Sequence, residues 1–187
     1  MALPATAGDD DVLMARAGGG DRAAFRMLVD RHGERPYRIA WRMLGDQTEA
    51  EDVAQEALLR LWRQAGLWRA GQGGAGAFVA RVATNLCLDR LRKRKFASDE
   101  AVPECADEAP FADAIVGATE EAVLARAAID ALPERQRAAI VLTYYEEIPN
   151  RAAAEMMEMD VKAFESLLHR ARAALRTALS DLREDAQ

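Results

Sequence analysis

Thr48–Gln64 reads TEAEDVAQEALLRLWRQ. Thr48 and Glu51 stand at the T-x-x-E spacing of a capping box, in which a hydroxyl and a carboxylate satisfy free N–H groups of a first helical turn. From there Val53, Ala57, Leu58, Leu61 and Trp62 recur three and four residues apart, the period of one helix face. Asp52, Gln55, Glu56 and Arg63 turn the other way. The stretch predicts an amphipathic helix with an apolar side for a core and an acid-amide side left over.

Working outward, the same logic repeats. Upstream, Pro36 suits a first helical turn, with Tyr37, Ala40, Trp41 and Leu44 inward and Gly45 as the stop. Before it, Asp21 is placed to cap a helix whose inward face is Phe25, Leu28, Val29 and His32. A short helix over Asp11–Ala17 ends at Gly18-Gly19-Gly20. Downstream, a glycine-rich loop from Gly66 to Gly76 leads into a helix over Ala77–Lys95, with Phe78, Val79, Val82, Leu86 and Leu91 inward. Then come Pro103, Pro110 and a run of acids, the composition of a flexible linker. After it, Glu120–Ala131 forms a helix, and Pro133 opens another to Tyr145 that buries Ile140, Val141 and Tyr144. Asn150, as cap, starts a segment to Met157, and Val161–Leu182 follows across Glu158-Met159-Asp160, a connection of helix-turn-helix size. No strand-like alternation interrupts this. The expectation is an all-α chain of two small helical domains, 1–96 and 119–187. A flexible acidic linker, 97–118, joins them, and the second contains a helix-turn-helix.

Charge is segregated. The net formal charge is −6 over 187 residues, yet the stretch from Ser98 to Glu121 carries eight acids and no Lys or Arg. Phe78–Phe96 holds Arg81, Arg90, Arg92, Lys93, Arg94 and Lys95 against Asp89 alone. Placement, rather than the total, predicts an electrostatic partner. The two cysteines, Cys87 and Cys105, are too few for a disulfide framework and suit a reducing cytoplasm. No apolar run approaches the roughly 18 residues of a membrane span, and MALPATAGDDD has neither part of a secretory signal, so membrane insertion is not expected.

Three surfaces carry candidate chemistry. On the basic helix, Arg81, Asn85, Asp89, Arg92 and Lys93 combine cations for phosphates with Asn and Asp for base edges. The loop before it adds Trp68 and Arg69, an aromatic beside a cation, as in single-strand platforms. A solvated basic helix end would look the same. On the last helix, Lys162, Glu165, Ser166, His169, Arg170 and Arg172 form the exposed set of a groove-reading helix, or of an ordinary surface helix. Asp52, Gln55 and Glu56 form a protein-docking surface or a solvated face. No nucleophile, metal-ligand spacing or phosphate-cradling loop accompanies them, so no enzyme, metal, cofactor or small-molecule substrate is expected. Cys87 sits beside the inward stripe as a core residue, and Glu146 and Glu147 solvate a helix end.

The order of these pieces resembles a known family. The stretch from Ala24 to Trp62, with AEDVAQE at its centre, is similar to the first conserved block of the extracytoplasmic-function sigma factors and to their D-x-x-Q-E polymerase-docking helix. FVARVATNLCLDRLRKRK (78–95) resembles their minus-ten recognition helix. ALPERQRAAIVLTYYEEI (131–148) and ESLLHRARAALR (165–176) resemble their minus-thirty-five domain. The sequence departs from the pattern at Phe78, where tryptophan is common, in the Gly/Ala-rich 66–77 loop, and at Pro149-Asn150-Arg151. The resemblance implies an alternative sigma factor with core RNA polymerase, promoter DNA and an anti-sigma factor as partners. It assigns Asp52, Gln55 and Glu56 to the polymerase clamp helices. The melted minus-ten strand falls to the 66–77 loop and to Asn85, Asp89, Arg90, Arg92 and Lys93. The minus-thirty-five duplex falls to Ser166, His169, Arg170 and Arg172, flanked by Lys162 and Glu165. A stand-alone helix-turn-helix regulator and a sigma mimic that titrates an anti-sigma protein are the competing readings.

Overall fold

Asp21 sets a helix boundary by short-range chemistry alone. In the computed structural model, which describes residues 7–71, 73–100 and 120–185, its Oδ1 accepts from the N–H groups of Ala23 at 2.9 Å and Ala24 at 3.1 Å. Two donors that a helix start leaves unpaired are thereby satisfied. Arg16 Nη2 donates to its other oxygen at 2.7 Å. The Ala24 N–H first, and Arg16 after it, hold the carboxyl below its ordinary range.

The described regular elements are all helical. They are α1 (Ala7–Gly18), α2 (Arg22–His32), α3 (Glu34–Leu44), α4 (Gln47–Gln64) with a 3-10 turn (Ala65–Leu67), α5 (Gly74–Glu100), α6 (Glu120–Asp130), α7 (Glu134–Ile140) with a π turn (Val141–Tyr145), α8 (Asn150–Met156) and α9 (Val161–Asp185). Contacts divide the chain into two units, Met1–Arg42 with Gln47–Leu86, and Met43–Asp46 with Cys87–Gln187. Of the expected linker, 97–100 continue α5 as helix, and 101–118 lie outside the described residues. Cys105 lies there too.

In the first unit, the core cluster joins Leu13, Met14 and Ala17 of α1 to Ala24 and Leu28 of α2, Ala57 and Leu61 of α4, and Ala75 and Val79 of α5. Val53, Ala57 and Leu61 of α4 are buried as their spacing predicts. Trp62 is not: it remains 37% exposed, its ring set edge-on to Phe25 at 4.8 Å. The capping box is displaced as well. The helix already includes Gln47, Thr48 falls inside its first turn, and Glu51 accepts from the Gln47 side chain at 3.0 Å. Gly18 ends α1 where the turn after α4 passes so close that a Cβ would stand 2.5 Å from the Ala65 carbonyl oxygen. Its lack of a side chain is a packing requirement as well as a helix stop. Asp9 pairs with Arg31 at 2.6 Å, and Asp10, itself buried, meets His32 Nε2 at 2.7 Å, so α1 is tied to α2 by successive acids.

The buried side of α5 is rotated from the expected stripe. Ala75, Val79, Ala80, Ala83, Thr84, Cys87 and Leu91 are buried, while Phe78, Val82 and Leu86 are only half-buried. Alanines carry too little hydrophobicity to mark this seam in a sequence. Thr84 satisfies its hydroxyl by donating to the Ala80 carbonyl at 2.8 Å. The loop is also shorter than expected: Gly74 and Gly76 belong to α5, and a Cβ on Gly76 would meet His32 Nδ1 at 2.9 Å.

In the second unit, α6, α7, α8 and α9 enclose Ile129, Leu132, Ile140, Leu142, Ala154, Met157, Phe164 and Leu168. The guanidinium of Arg137 donates to the carbonyls of Asp130 and Leu132, closing the C-terminal end of α6. Burial pushes its pKa down. After Ile140 the helix widens. Glu146 N–H reaches back to Val141 at 3.1 Å, and Glu147 takes φ +53° to end the turn. The extra residue in the turn rotates the register. Tyr144, expected in the core, is 52% exposed, and Glu146, expected in solvent, is buried. Asn150 does not cap α8: it is the first helical residue, Pro149 occupies the cap position, and no side chain caps the start.

Candidate nucleic-acid and protein-docking surfaces

Opposite the buried seam of α5, helical periodicity gathers Phe78, Arg81, Asn85, Asp89 and Arg92 on one face. Arg81 and Arg92 are exposed, and Asn85 is half-buried. Arg81 lies over the Phe78 ring, 5.7 Å from its centroid, a geometry that holds a cation on an aromatic face. Asp89 pairs with Arg92 at 2.8 Å, a solvated bond that a phosphate or base edge can replace at little cost. Lys93 flanks this face. Arg90, a half-turn away, is half-buried beside the seam and does not join the others.

Trp68 is built into the fold. Its ring meets Phe78 edge-on at 6.0 Å, and its indole N–H donates to Asp11 Oδ1 at 2.7 Å. Arg69 beside it is exposed. Gly71 takes φ +85° and donates its N–H to Asp11 Oδ2 at 3.1 Å. Asp11 had no signal in the sequence beyond lying in an acidic run, because its partners are 57 and 60 residues away.

On α4, Asp52 and Gln55 are exposed and Glu56 is half-buried. Glu56 accepts from Arg60 Nε at 2.7 Å, and that bond holds its carboxyl below the ordinary range. One turn further along, on the same face, Leu59 is 50% exposed. Sequence reading passed over Leu59, although its spacing from Gln55 and Glu56 puts it there. An exposed apolar side chain beside an acid and an amide suits a protein partner better than nucleic acid.

The α8–turn–α9 segment is set by capping. Asp160 Oδ1 accepts from the Ala163 N–H at 2.9 Å, and Met159 N–H donates to the Ala154 carbonyl at 3.0 Å. From α7, Arg135 donates to the Met157 carbonyl at 3.1 Å. Phe164, Leu167, Leu168 and Ala171 are buried, leaving Lys162, Glu165, Ser166, His169 and Arg170 exposed along the outer side of α9. Arg172, also exposed, instead lines a cleft of about 400 Å³ with Ile129, Tyr144, Tyr145, Arg176 and Leu179.

Among the described residues no group of three or more His, Cys, Asp or Glu side chains converges as a metal site would require, and no helix is long and apolar enough to cross a membrane.

Comparison with known proteins bears on all of these surfaces. Residues 28–97 match the family model for Sigma-70 region 2, and residues 122–175 match that for Sigma-70, region 4. The chain is 32% identical over 174 residues to the ECF RNA polymerase sigma factor SigW of Bacillus subtilis, covering 87% of this chain and 92% of that protein. It is 34% identical over 173 residues to the ECF RNA polymerase sigma factor SigM of Mycobacterium tuberculosis, covering 92% and 86%. Among solved structures it is similar to CnrH, determined in complex with the cytosolic domain of CnrY, at a TM-score of 0.69 and 26% identity over 92% of this chain and 97% of that one.

Proposed function

This chain belongs to the ECF RNA polymerase sigma factors, and from that premise we propose how its surfaces divide the work of initiation. As an alternative sigma factor it binds core RNA polymerase and directs promoter recognition and transcription initiation. In our reading Asp52, Gln55 and Glu56, with Leu59 beside them, dock on the polymerase. Arg81, Asn85, Asp89, Arg92 and Lys93, with Trp68 and Arg69 in the loop before them, take the melted minus-ten strand. Lys162, Glu165, Ser166, His169 and Arg170 read the minus-thirty-five duplex, with Arg172 at its margin. The corresponding division of the sequence is 1–96, a linker over 97–118, and 119–187.

The observation that carries this is the outward face of α5. Cations there recur with Asn85 and Asp89, and an aromatic and a glycine-rich loop precede them. Cations hold phosphates, while amide, carboxylate and aromatic groups can receive bases that have left the stack, trading unstacking energy for contacts. A sigma mimic has no use for such a face, and a stand-alone regulator has no use for the α4 surface. All catalysis belongs to the polymerase, and the workplace is the cytoplasm. An anti-sigma factor is the further partner we infer, supported by the likeness to CnrH in its complex with CnrY.

The test is transcription in vitro with purified core polymerase on a pool of promoters. Start sites that appear only when this chain is added are expected. Failure both to co-purify with core enzyme and to switch on any start site overturns the reading.

A further inference from the structure

We propose that Asp11 is a positioning residue for promoter opening: from α1, it holds the loop before α5 in the shape that selects the base leaving the minus-ten stack. The proposal rests on the minus-ten reading above, and it concerns a residue outside the stretch 28–97 that matches the sigma region 2 model.

The geometry is specific. Both oxygens of one carboxylate are committed to one loop, Oδ1 to the Trp68 indole N–H at 2.7 Å and Oδ2 to the Gly71 backbone N–H at 3.1 Å. Hydrogen bonds to an ionised acceptor are short and strong, and two from one carboxylate fix direction as well as distance. The loop needs such a tie. Gly66, Gly71 and Gly73 leave it little conformational preference of its own, and an unrestrained glycine segment loses much entropy when ordered around a ligand.

The anchor is itself held. Asp9 and Asp10, the two preceding residues, bind Arg31 and His32 of α2, and Gly18 presses the other end of α1 onto the Ala65 carbonyl at the start of the same loop. From Asp11 contact then runs through Trp68 to Phe78 at 6.0 Å, and from the Phe78 ring to Arg81 on the outward face of α5. Losing the carboxylate leaves the side chains of the face in place but frees the loop beside them.

Holoenzyme reconstituted with the full chain is assayed for open-complex formation on promoters carrying each of the four bases at each minus-ten position. With Asp11→Ala, the ratio between the best and worst base is expected to shrink by about tenfold, the size of one lost base contact, while affinity for core polymerase is unchanged. Trp68→Phe keeps an aromatic ring but removes the donor. It is expected to flatten the same ratio, and the double variant to lose no more than either single one. Asp11→Asn, which retains one acceptor oxygen, is expected to fall between. A merely structural role lowers open complexes for all bases in proportion, and an unmoved ratio in both Asp11→Ala and Trp68→Phe overturns the proposal. Where Asp11→Ala does not fold, Asp11→Asn decides, because Trp68 itself stands among the residues read as taking the melted strand. Asn85→Ala separates the two levels. If it alters base preference and the Asp11 and Trp68 variants do not, only this inference falls. If none of the three does, the minus-ten reading falls with it.

Discussion

Arg135 of α7 donates to the carbonyl of Met157, at 3.1 Å, where α8 gives way to the turn before α9. The same nitrogen lies 3.7 Å from Met159 Sδ. The turn that aims α9 is thus braced from outside as well as capped from within by Asp160. Arg135→Ala is expected to cost about 1 kcal/mol, the usual net worth of such a bond, and to weaken discrimination among minus-thirty-five sequences. Denaturant titration reads the first, and promoter competition with holoenzyme reads the second.

Gly18→Ala places a methyl group 2.5 Å from the Ala65 carbonyl oxygen, against backbone that has nowhere to retreat. A loss of about 1–3 kcal/mol is expected, as for overpacking elsewhere. The urea midpoint falls with its slope unchanged. An unchanged midpoint would show that α1 can lift off the turn freely.

Arg81 and Arg92 face outward together, and Arg90 does not. Arg81→Gln and Arg92→Gln are each expected to lower the salt dependence of single-strand binding by holoenzyme by about one unit of slope. Arg90→Gln is expected to leave that slope where it is. A filter-binding series across salt concentrations distinguishes them, and equal effects of all three would refute the assignment of the face.

The carboxyl of Asp21 is held below its ordinary value by the Ala24 N–H and by Arg16. A depressed folded-state pKa gives stability that is fully present above the unfolded value and is lost as pH falls through the folded one. Asp21→Asn keeps a cap but not its charge. The melting temperature of the native chain is therefore expected to exceed that of the variant at neutral pH, and the gap to close in acid below the unfolded carboxylate range. A gap that persists there counts against a charge effect.

Local control was readable at some helix starts and not at others: Thr48 and Asn150 both lie inside the helices they were expected to cap. Asp21, Pro133 and the Asp160 turn stand where short-range rules put them, because caps and turns are decided within four residues. The α5 seam was misread for a reason of composition: Phe78, Val82 and Leu86 outweigh Ala75, Ala80 and Ala83 on any hydrophobic scale, although the alanines are the buried ones. Tyr144 went astray because nothing in VLTYY announces a five-residue turn. The outward residues of α5, α4 and α9 were legible since polar side chains at helical spacing declare their own face. Leu59 escaped as an apolar residue on a polar side, and Asp11 because long-range pairing leaves no periodic trace.

The π turn at Val141–Tyr145 gives the second unit an unusual genetic property. Excising one residue there restores ordinary helical register and swings everything after it by roughly 100°. Tyr144 and Tyr145 would leave the positions from which they line the cleft, and Glu146 would leave the interior for water. The lining of that cleft is therefore separated from a different one by a single codon. An insertion or deletion, rather than any substitution, is the event by which descendants of this chain could lose it or retrieve it.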